Sequence, residues 1–251
     1  MATLSKARIV QILLVVCSLA EFYAEFFHQR ELVFFTKPLL LPLIAAYFYF
    51  SRKKAWTPLD TTMMVAFLFS WFGDISLMLT PETPSDTSLM GIPKNKYFFL
   101  AGLGSFFVTQ LLFIRAYSKA VDESASGKAL LPKIYFAPFI LYWIAILSYV
   151  LPPLRANIEK QSATIPVVFY AAVLISMATV ALTRFRKTSG KSFWLTFIGA
   201  CIFVISDTLI AINFLALPEP GYYAGFLIIT TYVVAEYLIA EGILQHQNNR
   251  A

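Results

Sequence analysis

The sequence contains few charged residues. Asp, Glu, Lys and Arg make up 14% of its 251 residues, whereas hydrophobic residues make up 59% and aromatic residues 16%. Soluble domains carry about 25% charged residues, so this composition excludes a soluble monomer. The mean hydropathy is +0.69, and apolar runs of about 20 residues recur along the chain. These features indicate a polytopic membrane protein whose helices are solvated by lipid.

Cysteine and histidine are also scarce. Cys17 and Cys201 each lie inside an apolar run, which excludes a disulfide framework and a paired-cysteine metal site. His28 and His246 follow the first and the last apolar run, so a three-histidine zinc site cannot be assembled and a Ser-His-Asp triad is disfavoured. The chain also lacks a GxSxG elbow and a Walker motif. We therefore expect no metal and no other cofactor.

The net charge of +6 does not indicate a nucleic-acid partner. The basic residues stand in short clusters between the apolar runs and form no continuous basic face. We interpret these clusters as signals of membrane topology.

The apolar runs predict an all-α fold, a polytopic transmembrane helical bundle of about eight spans that forms one integral membrane domain over residues 1–251. Lys6 and Arg8 ahead of the first run resemble a signal peptide, but many spans follow and we expect this run to be retained as span one. The predicted spans cover residues 8–27, 33–51, 58–79, 96–118, 133–151, 163–183, 191–216 and 221–244.

The distribution of basic residues predicts the orientation of these spans. With the N-terminus in the cytoplasm, fourteen of the twenty basic residues lie in cytoplasmic segments. This excess predicts that both termini are cytoplasmic and that the protein is a multi-pass protein of the inner or plasma membrane. The six basic residues that then lie outside or at adjoining helix ends are Arg30, Lys37, Lys94, Lys96, Arg155 and Lys160.

Two aspartates lie deep within predicted spans. Asp74 follows Pro58, the start of span three, by 16 residues, and Asp207 follows Lys191, the start of span seven, by the same number. Both spans start on the cytoplasmic side, so both carboxyls are expected about 24 Å from the inner end, in the outer half of the membrane. A carboxylate there costs at least about 2.5 kcal/mol and usually faces a bundle interior or a wet cavity. Alternatively, each acid bonds only a neighbouring hydroxyl or caps a helix broken near Gly73.

Four further ionisable groups are predicted toward the outer side of the membrane. Glu21 and Glu25 are four residues apart on one face of span one, and His28 continues that face. They either line the same cavity, or Glu25 and His28 have reached the outer interface and only Glu21 is buried. Lys37 opens span two from the outer side, where it either neutralises a buried carboxylate, receives a lipid phosphate or snorkels to the interface.

Three sequence blocks resemble a known family. These are Thr36-Lys37-Pro38-Leu39-Leu40-Leu41-Pro42, Ser70-Trp71-Phe72-Gly73-Asp74, and Ser206-Asp207-Thr208-Leu209-Ile210-Ala211 preceded by Gly199-Ala200. They are similar to the signature blocks of the YhhN-like lysoplasmalogenase family, and the similarity extends to Gly102–Phe106 and Thr231-Tyr232. The chain departs from the family at Glu236, where an amide is usual.

The resemblance implies an eight-span enzyme that hydrolyses the vinyl-ether bond of lysoplasmalogens and releases a fatty aldehyde and a glycerophospho-base. Two carboxyls can perform this chemistry when one is a neutral acid and the other an ionised base. We expect Asp74 and Asp207 to take these catalytic roles, with a lysophospholipid in the bilayer as the partner. The residues expected to contact the substrate are Lys37, Glu21, Glu25, Ser70, Ser206, Tyr232 and Glu236.

The residues alone leave other functions open. A lipid or proton-coupled carrier would use the same buried acids to bind protons during alternating access. A structural or sensory membrane protein is a third alternative. Aldehyde release from a lysoplasmalogen distinguishes the hydrolase from the carrier, and the family resemblance favours the hydrolase.

Overall fold

The computed structural model describes residues 5–81, 88–89, 92–95, 97–122, 132–158 and 160–249. Lys96, from the outer group of basic residues, lies outside these ranges, as do Lys128 and Arg250, which the topology prediction places in the cytoplasm. The predicted outer loop 80–95 and the predicted inner loop 119–132 are therefore described only in part.

Eight long α-helices form the described chain, and all eight are apolar enough to cross a membrane. This result confirms the predicted all-α transmembrane bundle, whereas the cytoplasmic position of both termini stays a prediction. The helices are α1 Lys6–Phe26, α2 Arg30–Phe50, α3 Pro58–Met78, α4 Tyr97–Asp122, α5 Ala137–Ala156, α6 Thr164–Leu182, α7 Gly190–Ile210 and α8 Ala224–Asn248.

Short elements connect or extend these helices. Strands β1 Ser88–Leu89 and β2 Ile92–Pro93 pair antiparallel in the loop between α3 and α4. The 3₁₀ turns Lys133–Phe136 and Gln161–Ala163 lead into α5 and α6. Helix α7 continues as a π-helical segment, Ala211–Ala216.

Helix α8 starts three residues later and ends four residues later than the predicted span 221–244. Its polar last turn is held by the α2–α3 loop, which hydropathy does not reveal. The Gln247 side chain donates to Thr57 Oγ1 at 3.0 Å, and the Asn248 side chain donates to the Ser51 carbonyl at 3.2 Å.

The start of α3 is fixed by a polar cluster at the same end of the bundle. Thr57 and Asp60 form a reciprocal capping box around Pro58. Arg52 pairs with the buried Asp60 at 2.9 Å. These contacts anchor the start of α3. The height of Asp74 along the bundle is therefore set by the number of residues between Pro58 and Asp74.

The bundle is built around α8, the most buried helix, which packs against α7, α1 and α2. Helix α3 packs on α4 and α2, α4 packs on α6, and α6 packs on α7. Gly199 allows the close contact of α7 with α8, because a Cβ atom there would lie 3.0 Å from the Ala235 carbonyl oxygen. Helix α5 is the most exposed and packs on α6 and the π-helical segment.

Arg184 ties the α6–α7 connection to the bundle. Its buried guanidinium donates to Thr196 at 2.8 Å and to Ser192 at 2.7 Å, and Ser192 in turn donates to the Gly242 carbonyl of α8. Burial lowers the pKa of Arg184 to about 10, so the group stays charged at neutral pH. Arg184 therefore acts as a fixed cation at the predicted inner end.

Candidate functional site

Asp74 lies on α3 and faces the centre of the bundle. Its side chain is buried, and its Oδ2 atom accepts a 3.0 Å hydrogen bond from the Tyr232 hydroxyl of α8. Asp74 also interacts electrostatically with Lys37, Glu21 and Asp207. A carboxyl on α3 is thereby connected with groups on α1, α2, α7 and α8.

Asp207 lies on α7, in the last turn before the π-helical segment. Its Oδ2 atom accepts a hydrogen bond from the Tyr170 hydroxyl of α6. The structure therefore brings Asp74 and Asp207 close enough to interact, and it gives each of them a tyrosine donor from a different helix. Each acid thus has the hydroxyl partner that the alternative interpretation predicted. The two acids also interact with each other and belong to one cluster.

Three aromatic rings pack beside this carboxyl pair. The ring centroid of Tyr232 is 5.9 Å from that of Phe106 and 5.6 Å from that of Phe203, both in edge-on geometry. Phe106 also lies against the backbone at Gly73, next to Asp74. The rings exclude water from one side of Tyr232, which strengthens electrostatic interactions around Asp74.

Of the acids predicted on α1, only Glu21 is fully buried. Its Oε2 atom accepts a hydrogen bond from Thr36 Oγ1, whereas its buried Oε1 atom has no hydrogen-bond partner. The Glu25 side chain is 19% exposed. His28 lies in an exposed turn after α1, with a φ of 54°, and its ring packs on Tyr222. Glu25 and His28 thus stand at the edge of the bundle, as the second of the two alternatives proposed.

Lys37 interacts with both the buried acids and the partly exposed Glu25. Its ammonium is 4.0 Å from Glu25 Oε1, and it interacts electrostatically with Glu21 and Asp74. The Lys37 side chain is 20% exposed, so its charge faces both the buried carboxyls and the edge of the bundle. Of the three roles predicted for Lys37, this geometry accounts directly for charge neutralisation.

A second polar cluster joins α3, α4 and α8. Ser70 Oγ donates to Glu236 Oε1 at 2.7 Å and lies 3.3 Å from Thr109 Oγ1. Glu236 is fully buried, and its Oε2 atom has no hydrogen-bond partner. Glu236 interacts electrostatically with both Asp74 and Asp207. Glu236 therefore belongs to the same group of buried acids as the carboxyl pair.

Ser206 is placed differently from the other predicted site residues. Its hydroxyl donates a 3.1 Å hydrogen bond to the Ile228 carbonyl of α8. In this arrangement Ser206 joins α7 to α8, one residue before Asp207.

An apolar pocket opens beside Asp207. It is lined by residues of α3 to α7 and of the π-helical segment, and no lining residue comes from α1, α2 or α8. Four of the lining side chains carry a polar atom, namely Tyr142, Tyr170, Asp207 and Thr208. Tyr142 and Thr208 are hydrogen-bonded to each other at 2.7 Å. Asp207 thus borders the pocket, whereas Lys37 lies on a helix that does not line it.

The π-helical segment borders both Asp207 and this pocket. Single π-helical turns are rare and occur frequently at functional sites. The Lys160 ammonium donates to the Phe214 carbonyl at 2.7 Å, and Asn213 accepts from the Gly221 N–H at 3.0 Å. These contacts hold the unusual turn in place and fix the end of α7 that carries Asp207.

Sequence reasoning missed Tyr170, Thr36 and Thr109. Spans four to six contain few charged residues, a composition that favours packing or lipid-facing surfaces over a site. Tyr170 is a lone hydroxyl-bearing aromatic in an otherwise apolar part of span six, and that isolation is the signal that could have found it. Thr36 and Thr109 have no such signal, because each stands next to another polar residue in the sequence, and only the structure gives them buried partners.

The described residues contain no group of three or more His, Cys, Asp or Glu side chains arranged to hold a metal ion. The arrangement instead offers buried carboxyls, hydroxyl donors and one lysine. Two carboxyls in such a setting can exchange protons with a bound molecule when they differ in protonation state.

Comparisons with curated proteins and with solved structures found no match. The YhhN family model matches residues 32–243, which run from α2 to near the end of α8. The match includes Lys37, Asp74 and Asp207, whereas Glu21 and Glu25 precede it. Because this match covers most of the sequence, the chain belongs to the YhhN family.

Proposed function

We propose that this membrane protein hydrolyses the vinyl-ether bond of lysoplasmalogens and releases a fatty aldehyde and a glycerophospho-base. The observation that supports this proposal most directly is the pair Asp74 and Asp207, which interact with each other and each accept a hydrogen bond from a tyrosine. Membership in the YhhN family supports a membrane protein of that family.

The reaction begins with a proton transfer to carbon. One aspartic acid of the pair donates its proton to the alkenyl carbon that does not bear oxygen, and the π electrons of the double bond form the new C–H bond. The adjacent carbon becomes an oxocarbenium centre. The ionised aspartate of the pair stabilises this cation, and the low dielectric of a buried site strengthens that interaction.

Water then completes the hydrolysis. The ionised aspartate takes a proton from water as the water oxygen bonds to the oxocarbenium carbon, which gives a hemiacetal. The bond from that carbon to the glyceryl oxygen then breaks: the aspartic acid that has just taken a proton from water gives it to the glyceryl oxygen, and the first aspartate takes the proton of the hemiacetal hydroxyl. The overall balance is one vinyl ether plus one water to one aldehyde plus one alcohol, and both carboxyls return to their initial states.

The remaining polar groups have supporting roles in this scheme. Tyr170 and Tyr232 orient the two carboxyls and stabilise the ionised form of whichever acts as base. Lys37, whose side chain is partly exposed, offsets the negative charge of Glu21 and Asp74 and attracts the phosphate of the substrate. No step requires a metal or an organic cofactor.

Purified protein in liposomes tests the proposal against the carrier alternative. Lysoplasmenyl-ethanolamine and lysoplasmenyl-choline are supplied in D₂O. The aldehyde is trapped and its mass is measured by mass spectrometry. Proton flux across the liposome membrane is recorded in parallel. The proposed chemistry predicts aldehyde with one solvent-derived deuterium on the carbon next to the carbonyl. Proton flux without aldehyde from folded protein would instead support a carrier.

A further inference from the structure

We infer that the apolar pocket between α4, α5, α6 and α7 holds the hydrocarbon chain of a single-chain lipid. This inference rests on the proposed function and assigns one part of the substrate to one part of the molecule. The pocket has Asp207 on its wall, so a chain bound in it would end at the carboxyl pair.

The lining favours hydrocarbon over a polar ligand. Thirteen of the seventeen lining residues are apolar. The polar atoms of Tyr142 and Thr208 bond each other, and the Tyr170 hydroxyl bonds Asp207. A head group in this pocket would lose its hydration and, apart from the Asp207 carboxyl, would find its possible partners already hydrogen-bonded, which is unfavourable. A hydrocarbon chain has no such requirement.

The shape of the pocket follows the end of α7. Ala211 lies four residues after Asp207, and Leu215 lies four residues further, so the lining extends about 12 Å along this helix at 1.5 Å per residue. Val167, on α6, lines the pocket one turn from Tyr170 and packs in the same hydrophobic cluster as Leu215. Val167 and Leu215 therefore mark the end of the pocket where α6 begins and the π-helical segment ends.

The position of the charged residues indicates where the head group of the lipid would lie. Lys37 and Glu25 lie on α2 and α1, which contribute nothing to the pocket. A single-chain lipid has one polar and one apolar end, and its vinyl-ether bond lies at their junction. With the head group on the Lys37 side and the chain in the pocket, that junction falls at Asp74 and Asp207.

Helix α5 supplies the outer wall of the pocket through Tyr142 and Ile146. This helix is the most exposed of the eight, and the Tyr142 side chain is itself exposed where it bonds Thr208. A thin wall that faces the lipid allows a chain to enter from the bilayer without crossing water.

Matched substitutions test this assignment through chain-length preference. Val167→Phe fills the end of the pocket that Val167 and Leu215 line, whereas Val168→Phe adds the same ring at the neighbouring position, which is not part of the lining. Val167→Phe is expected to lower kcat/KM for long chains of about 18 carbons by at least about tenfold relative to short chains of about 8 carbons. Val168→Phe is expected to keep the wild-type profile, and Leu215→Ala is expected to shift preference toward longer chains.

A binding measurement separates this inference from the proposed function. The probe is a saturated-ether lysophosphatidylethanolamine with a diazirine at the end of its chain, which binds without being cleaved. Wild type is expected to be labelled near Val167 and Leu215, and Val167→Phe is expected to lose that label. If labelling has this pattern and no aldehyde forms, the proposed hydrolysis fails while the chain site stands.

The inference is overturned if aldehyde forms but Val167→Phe and Val168→Phe have the same chain-length profile and the label lies outside the pocket. Activity of Val167→Phe on short chains shows that this variant is folded. If Val167→Phe does not fold, Leu215→Ala decides, because an unchanged chain-length profile for that variant also contradicts the assignment.

Discussion

The indole N–H of Trp71 on α3 donates a 2.8 Å hydrogen bond to the carbonyl oxygen of Pro38 on α2. In a regular helix this carbonyl would accept from the N–H of residue 42, but residue 42 is proline and has no N–H. The Trp71 side chain therefore replaces the missing backbone donor. This contact joins two of the three sequence blocks and holds Lys37 beside Asp74.

Trp71→Phe is expected to destabilise the protein by about 1–3 kcal/mol, because it leaves the Pro38 carbonyl without a donor in a partly buried place. Adding Pro42→Ala returns a backbone N–H to residue 42 and should recover most of that loss. Thermal unfolding in detergent measures both effects.

Trp143→Phe is the matched control for Trp71→Phe, because the Trp143 indole N–H is buried without a hydrogen-bond partner. It is expected to cost less than Trp71→Phe. Equal losses for both tryptophans, or no recovery with Pro42→Ala, would show that the Trp71 hydrogen bond is unimportant.

Gly73→Ala is expected to reduce activity by displacing Phe106. A Cβ atom at Gly73 would lie 2.6 Å from the nearest ring carbon of Phe106, so the ring must move. Phe106 lines the apolar pocket and packs on Tyr232, which bonds Asp74. A loss of about tenfold or more is expected in the rate of aldehyde release, because small displacements of catalytic groups are costly.

The second substitution Phe106→Leu makes room for the new methyl group and should restore part of the activity of Gly73→Ala. Gly104→Ala serves as the control, since a Cβ atom there meets nothing within 4 Å. The explanation fails if Gly104→Ala is as harmful as Gly73→Ala, or if Phe106→Leu deepens the loss.

Tyr170→Phe and Tyr232→Phe each remove one hydrogen bond to a carboxyl of the pair. A hydrogen bond to a charged group contributes about 1.5–3 kcal/mol, so each variant should lower the rate by roughly 10- to 100-fold. The pH profile of the rate should move as well, since each hydroxyl favours the ionised form of its carboxyl.

Tyr47→Phe provides the comparison, because Tyr47 donates to Glu241, a carboxyl outside the site, at 2.8 Å. Its pH profile is expected to match wild type. An unchanged profile in both site variants would mean that these tyrosines do not tune the carboxyl pair.

Glu236→Gln is expected to cost less than about tenfold in rate, whereas Glu236→Met should cost about tenfold or more. The glutamine oxygen can still accept from Ser70, but methionine leaves that buried hydroxyl with a poorer partner at a cost of about 1–3 kcal/mol. Aldehyde release measures both variants. If Glu236→Gln is as damaging as the aspartate substitutions, Glu236 carries a proton in the reaction.

Hydropathy was sufficient to predict the eight helices, because a lipid environment demands about 20 apolar residues per span. The starts of α3 and α7 fell within one residue of their predicted positions, since Pro58 and the Lys191 region are marked by a cap or a charge. The intramembrane carboxyls were equally visible, because an ionisable group in a span is rare and costly.

The partners of those carboxyls were not predictable in the same way. Periodicity assigns a residue to one face of a helix but does not say which helix that face meets. Tyr170 reaches Asp207 only because α6 packs beside α7, and the apolar pocket exists only because α5 covers the outer side of α6. Neither relation has a signal in a single helix.

The most direct measurement is the initial rate of aldehyde release from lysoplasmenyl-ethanolamine by purified protein in detergent with chelator present. Wild type is compared with Asp74→Asn, Asp207→Asn and Glu241→Gln, the last being a membrane carboxyl that is bonded by Tyr47 and stands apart from the pair. We expect wild type and Glu241→Gln to be active and each aspartate variant to lose roughly 10²- to 10⁴-fold. Full activity in either aspartate variant, or no aldehyde from folded wild type on ethanolamine and choline substrates, would contradict the carboxyl-pair hydrolase.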